Sequence, residues 1–171
     1  NGNVFLYYGE ELGMKGSGKD ENKRAPMYWS KDGNAEGMCK GPADMDDFRM
    51  KFDSLEEQQE DPDSIYNYVK QVIRVRNQNP VIARGTTAYL EQYSGEQCFA
   101  LTRSYEGSNL LLLGNTSAEA VSVDLTGLTV GGTTAEELVL LGELYTGEET
   151  AERAGTVVTL PAYSILILGE E

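Results

Sequence analysis

The reading of the chain turns on Val4 to Trp29, VFLYYGEELGMKGSGKDENKRAPMYW. Its first five residues, Val4 to Tyr8, form an unbroken β-branched, aromatic and aliphatic run. Such a run predicts a strand covered on both faces, as in a parallel sheet, rather than one with a wet and a dry side. Gly9 ends it, and Glu10 and Glu11 follow directly. A polar, Gly- and Lys-rich stretch then leads to Arg24-Ala25-Pro26-Met27-Tyr28-Trp29, an arginine beside a proline and two aromatics. A strand whose C-terminal end feeds a long polar loop with aromatics at its tip is how α/β barrels build active-site rims. Nothing upstream supplies the neighbouring strands that a buried parallel strand needs.

Working outward, residues 15–46 are dominated by Gly, Asp, Asn, Lys and Pro, the composition of loops. A connection this long inside a compact domain points to function. Ala43–Phe52 is predicted as a short helix packing Met45, Phe48 and Phe52 beneath the loop. Asp61-Pro62-Asp63 offers an N-cap acceptor, a proline for the first helical position and a carboxylate for the positive helix end. Ile65, Tyr68, Val69, Val72, Ile73 and Val75 then recur at mostly helical spacing, and Asn77-Gln78-Asn79-Pro80 stops the pattern. This helix is expected to dock through Ile65, Val69, Val72 or Ile73.

From Val81 the period changes from near 3.6 to 2. Strands are predicted at Thr87–Gln92, Gln97–Ser104, Asn109–Gly114, Ala120–Leu125, Glu137–Leu144, Thr156–Leu160 and Ser164–Leu168. Turn residues separate them, among them Ser94-Gly95, Glu106-Gly107, Gly131-Gly132 and Thr146-Gly147. Several short strands at this spacing with no helix between them predict an antiparallel β-sandwich or barrel. The expected organisation is therefore mainly β, with a strand and a helix in residues 1–80 and an antiparallel sandwich or barrel in residues 81–171.

Composition excludes several functions. Of 171 residues, 14 are Lys or Arg and 28 are Asp or Glu, a net charge of −14. The imbalance is steepest in residues 81–171, where 3 basic residues face 13 acidic ones. Such a surface repels phosphate backbones and anionic headgroups, so neither nucleic acid nor a membrane is an expected partner. There is no histidine, which removes His-based triads and His-ligated metals. Cys39 and Cys98 lie far apart with no C-x-x-C spacing, so both are expected as free thiols. A cytoplasmic setting is favoured. Neither a metal nor another cofactor is expected: Asp44, Asp46 and Asp47 lack the pinned glycine and closing glutamate of a calcium loop and read as a solvated cluster.

Glu10 and Glu11 sit at a catalytic address, the end of a barrel-type strand. Adjacent residues point in different directions, so the two cannot flank one bond as an acid and nucleophile do. A hydrogen-bonded supporting role is the better reading for them. Asn115-Thr116-Ser117 matches a glycosylation sequon but lies between two strands, where a turn explains it more economically. Arg24 beside Pro26 and Trp29 is a forked cation against aromatic faces, which suits polyol and carboxylate groups. Composition alone leaves a structural Arg–carboxylate pair equally open.

Taken together, these segments resemble a known family. LYYGEELGM resembles the eighth barrel strand and following turn of the α-amylase family of glycoside hydrolases. NKRAPMYW resembles the Arg-x-Pro-Met-x-Trp segment of its α-glucosidase and oligo-1,6-glucosidase members. SLEEQQEDPDSIYNYVKQVIRVRNQNPVIARG is similar to their last barrel helix. LLLLGNTS and LPAYSILIL are similar to the antiparallel domain that follows the barrel. The resemblance implies a retaining enzyme that cleaves α-glucosidic bonds in starch-derived oligosaccharides, using two aspartates and a glutamate on earlier barrel strands. It also implies that this chain holds the end of such an enzyme, a truncated (β/α)8 barrel with none of the catalytic carboxylates, inactive alone. An α-glucan or oligosaccharide would then be met through the rest of the barrel. Arg24 would face the leaving-group side of the substrate and Glu11 would support the turn after the strand, with Trp29 expected in a supporting, structural place beside them. The rival readings are a stand-alone carbohydrate-binding β-sandwich and a non-catalytic amylase-like scaffold. Unpaired backbone on Val4–Tyr8 would favour self-association.

Overall fold

A computed structural model describes residues 4–170 of the chain, which divides at Lys70 and Gln71 into two compact units. In the first unit, Val4–Tyr8 makes no strand pairing among the described residues. All five side chains are exposed, from 44% at Tyr8 to 87% at Phe5. The apolar run is present but partners are not, and a strand without a ladder is only an extended segment. A 3-10 turn follows at Glu10–Leu12 and buries Leu12, and a second lies at Asn22–Arg24.

The helix predicted over Ala43–Phe52 does not form. Three aspartates within four residues offer the backbone other hydrogen-bond partners, which lowers helix propensity. One such competing contact is explicit, since the Asp46 N–H donates to Asn22 Oδ1 at 2.9 Å. Phe52, predicted to pack beneath the loop, is 43% exposed.

Helix α1 spans Leu55–Glu60 and opens on a capping box. The Glu57 carboxylate accepts from both the Ser54 N–H at 3.1 Å and the Ser54 hydroxyl at 2.9 Å. Helix α2 spans Ile65–Gln78, slightly shorter than the predicted run. Its cap is Ser64 rather than Asp61: the Ser64 hydroxyl accepts from the Asn67 N–H at 3.2 Å, while Asp61 accepts the Asp63 N–H at 3.0 Å in a separate tight turn. No residue of α2 is buried, and Ile73, one of its expected docking residues, is 45% exposed. Pro80 does end α2, but it also begins a further helix, α3, at Pro80–Arg84. Proline suits the first position of a helix as well as it suits the position after one.

The second unit is built from antiparallel sheets. In the larger one, β1 (Thr86–Tyr89), β2 (Cys98–Tyr105) and β3 (Ser108–Asn115) are sequential neighbours. A two-residue turn joins β2 to β3 at Glu106 and Gly107, both with positive φ, the turn that matches strand twist. The next elements in chain order are β4 (Val121–Asp124), β5 (Thr129–Val130), β6 (Thr133–Thr134), β7 (Val139–Leu144), β8 (Glu152–Ala154), β9 (Val157–Leu160) and β10 (Ile165–Gly169). Strand β10 slots between β3 and β7, giving the order β1-β2-β3-β10-β7. A second sheet has the order β4-β9-β8, and β5 with β6 forms a short ribbon.

Both sheets feed one buried cluster. Leu111, Leu113, Leu166 and Leu168 enter from the larger sheet, and Val123, Val158 and Leu160 from the smaller. Cys98 packs against this cluster as a small hydrophobe, and both cysteines are free. The Arg103 guanidinium of β2 donates to the carbonyl of Ile82 at 2.6 Å, holding the end of α3 to the sheet. Gly114 faces Phe99 across the β2–β3 ladder, and a methyl group there would lie 2.1 Å from the ring. Only glycine fits that approach. The Asn115 side chain, 3% exposed, donates to the carbonyls of Glu119, Leu160 and Pro161 and accepts from Ser117, so the sequon is a turn.

Candidate active-site rim

Two segments of the first unit meet here, Tyr7–Glu10 and Asn22–Ala25. The turn after Tyr8 is fixed by its own carboxylates. Gly9 takes φ 88°, and its N–H donates to the Glu11 carboxylate at 2.8 Å. Glu10 accepts the Tyr7 N–H at 3.3 Å. Both acids are thus engaged by backbone within three residues, which makes them turn-formers rather than reagents. The Tyr8 hydroxyl donates to the Ala25 carbonyl at 3.0 Å and ties the apolar run to the arginine segment. Burial, and then its neighbour Tyr7, push the Tyr8 hydroxyl pKa up, so the phenol keeps its proton and its donor role.

A cleft of about 290 Å³ opens here, lined by Tyr7, Tyr8, Glu10, Met14, Lys15 and Lys23, among others. Asn22 braces its floor. Its buried amide donates to Ser17 O and Asp46 Oδ2, both at 2.8 Å. Asp46 also receives Lys19 at 2.7 Å; the lysine first, then the Asn22 amide, holds its carboxyl below the usual carboxylate range. The three aspartates are therefore not a free cluster, because Asp46 is committed to this brace.

Arg24 lies beside the cleft. Its Nε donates to the Asp20 carbonyl at 3.3 Å and its Nη2 reaches Glu21 at 3.4 Å, with the side chain 58% exposed. Both contacts are long, so the guanidinium keeps most of its donors for another partner. Trp29, 43% exposed, is held by its backbone: the N–H groups of Leu55 and Glu56 donate to the carbonyls of Tyr28 and Trp29 at 2.9 and 3.1 Å. These are the first amides of α1, which otherwise lack partners. Lys31 closes the same joint through Glu57 at 3.1 Å.

Beneath the joint sits Gln58, which sequence reasoning did not single out. It is 3% exposed, donates to Leu12 O at 3.0 Å and Asp53 O at 2.7 Å, and accepts the Tyr66 N–H at 3.0 Å. A glutamine inside an exposed-looking helix carries no sequence signal for this. The Ser54–Glu57 box beside it does, as S-x-x-E before a helix. Among the described residues no group of three or more Cys, Asp or Glu side chains is arranged to hold a metal ion. Nor is any helix among them long and apolar enough to cross a membrane.

The arrangement is a rim: a forked cation with free donors, an open aromatic on a fixed backbone, and a tyrosine-lined cleft. The acids nearby are already engaged. Comparison with known proteins finds similarity along the whole chain. Residues 1–85 match the alpha-amylase catalytic domain. An alpha-amylase of Streptomyces lividans is 26% identical over 175 residues, 98% of this chain and 17% of that protein. The chain superposes on Amy13B of Eubacterium rectale with a TM-score of 0.90 and 42% identity, over 99% of this chain and 32% of that one. Alpha-amylase 3 of Dictyoglomus thermophilum is 32% identical over 81 residues, 47% of this chain and 16% of that protein. An oligo-1,6-glucosidase of Bacillus sp. strain F5 is 30% identical over 149 residues, 65% of this chain and 29% of that protein. The chain thus spans a third or less of the length of each of these alpha-amylase-family relatives.

Proposed function

We propose that this chain is the C-terminal part of a retaining glycoside hydrolase of the alpha-amylase family that cleaves α-glucosidic bonds in starch-derived oligosaccharides. The similarity to Amy13B, at 42% identity over 99% of this chain, carries the reading. Residues 1–80 are the end of the (β/α)8 barrel, with Val4–Tyr8 as its last strand and α2 as its last helix. Residues 81–171 are the antiparallel β-sandwich that follows. The oligo-1,6-glucosidase relative favours an α-glucosidase type. Retention needs two carboxyl groups about 5–5.5 Å apart across the scissile bond. Those groups belong to barrel strands outside this chain, and the rim supplies Arg24 to sugar hydroxyls or to the acids themselves. Glu11 holds the turn, and Trp29 walls the entrance. The substrate is an α-glucan or oligosaccharide, met through the whole barrel.

A chimera in which this chain replaces the equivalent final third of Amy13B tests the reading. The chimera is expected to hydrolyse a nitrophenyl α-glucoside or a malto-oligosaccharide, with the α-anomer released first. The chain alone is expected to turn over neither, because positioning and proton transfer are lost together. Turnover by the rigorously purified chain, or a folded chimera with no activity, refutes the proposal.

A further inference from the structure

All five methionines of the chain fall between residues 14 and 50, the segment that carries the rim and has no α-helix or strand. Each is half-buried. The sulfurs of two of them lie against backbone at a glycine. The sulfur of Met14 lies 2.6 Å from the point a methyl group on Gly9 would occupy. The sulfur of Met45 lies 2.8 Å from the corresponding point on Gly41, which also abuts Pro26. Gly9 begins the turn behind the cleft, and Pro26 follows Arg24 and Ala25. These two sulfurs therefore pin the start and the middle of the loop. Apart from Leu12 and Ala25, no apolar side chain of this unit is buried among the described residues, so these half-buried thioether contacts add to its polar network.

We propose that Met14 and Met45 are oxidation sites through which a peroxide opens the 14–50 segment. A lone pair on the thioether sulfur attacks the nearer peroxide oxygen. An S–O bond forms as the O–O bond breaks, and the departing hydroxide takes up the remaining proton and leaves as water. Sulfur is oxidised by two electrons and the peroxide is reduced. The product sulfoxide is larger and strongly polar. Against Gly9 and Gly41 the new S–O dipole replaces an apolar contact, so the side chain swings into water and the loop loses its pins. A methionine sulfoxide reductase reverses the change. The device needs no cysteine and does not depend on the glycosidase reading.

The test treats the full chain with hydrogen peroxide, then with dithiothreitol, which clears oxidised thiols and leaves sulfoxides in place. Peptide mass spectrometry locates the added oxygens, and brief trypsin digestion reads opening at Lys19, Lys23, Arg24 and Lys40. Cleavage there tracks the open population, and a rise on the order of tenfold is expected in oxidised protein. Met14→Leu with Met45→Leu keeps the packing volume, and after peroxide it is expected to be cut at the untreated rate. If that variant is already loose before treatment, the reductase arm decides: repair of oxidised wild type restores slow cleavage, or the proposal fails. An unchanged cleavage rate in protein oxidised at both residues overturns it. So does equal acceleration in the oxidised double variant, which would place the effect at the other methionines.

Discussion

Gln58 shows how one buried polar side chain substitutes for an apolar core. It links the turn at Leu12, the strand-like approach at Asp53 and the start of α2 at Tyr66, each by a hydrogen bond of normal length. Its own backbone carbonyl accepts from the Ser64 hydroxyl and the Asn67 amide. Gln58→Leu retains volume but leaves the carbonyls of Leu12 and Asp53 without their donor. A loss of about 2–3 kcal/mol is expected in the first unit, read as faster hydrogen exchange of its amides with those of Leu110–Leu113 unchanged. Arg24 is the opposite case. Its contacts are long and exposed, so removing it leaves stability nearly intact. In a complete enzyme, Arg24→Ala is expected to lower kcat/KM by roughly 10- to 100-fold, and Arg24→Lys nearly as much, because charge survives but the fork does not. Wild-type kinetics with an earlier melting temperature would show that Arg24 serves only the fold.

At the scale of elements, what was legible follows from period. The seven strands predicted beyond Val81 all occur, even where the partner is distant as in β3 with β10, because alternation and turn residues act within the segment itself. The failures share a cause in competition from outside the segment. Ala43–Phe52 has helical spacing, but Asn22, more than twenty residues away, takes the Asp46 amide. Val4–Tyr8 has the composition of a buried strand without the strands to bury it. The short β8 and the β5–β6 ribbon were missed, since two or three residues carry no readable period. Arg24 and Trp29 stand out in the sequence by residue type, whereas Gln58 and Asn22 act through contacts no local pattern encodes. Helix α1 was missed although its Ser54–Glu57 box is written in the sequence, and that box predicts a pH response. Hydrogen bonds from the Ser54 backbone, then its hydroxyl, then Lys31, lower the Glu57 pKa from 4.5. A folded value below the unfolded one stabilises above about pH 4.5 and is lost as pH falls through the folded value. Glu57→Gln keeps an acceptor oxygen without the charge. The gap between wild type and variant in α1 amide protection is expected to be full at neutral pH and to close on acidification. A gap independent of pH would assign the cap to geometry alone.

For the whole molecule, the two units rest on different physics. The second has a shared apolar cluster fed by two sheets, and the first has Leu12, Ala25 and a polar network. Apolar burial is the dominant favourable term in folding, so the second unit is expected to be the last to open. Hydrogen exchange should find residues 4–60 opening far more readily than Leu110–Leu113, and equal protection throughout a monomer would contradict this. The exposed Val4–Tyr8 run is also where we propose that isolated chains associate, through unpaired backbone and apolar side chains. Sedimentation at rising concentration should show dimer, and Phe5→Lys should abolish it. A monomer at all concentrations would remove that proposal.

The joint between Trp29 and the first turn of α1 also has an optical consequence. The chain has one tryptophan, and its indole stands half open on a backbone held by Leu55 and Glu56. Its emission is therefore a reporter of the first unit, blind to the leucine cluster of the second. Denaturant titrations followed by indole fluorescence and by far-ultraviolet circular dichroism should give separate midpoints, with fluorescence changing first. Binding of a sugar ring at the rim would shift the same emission to the blue as water leaves the indole face, a signal available without any label.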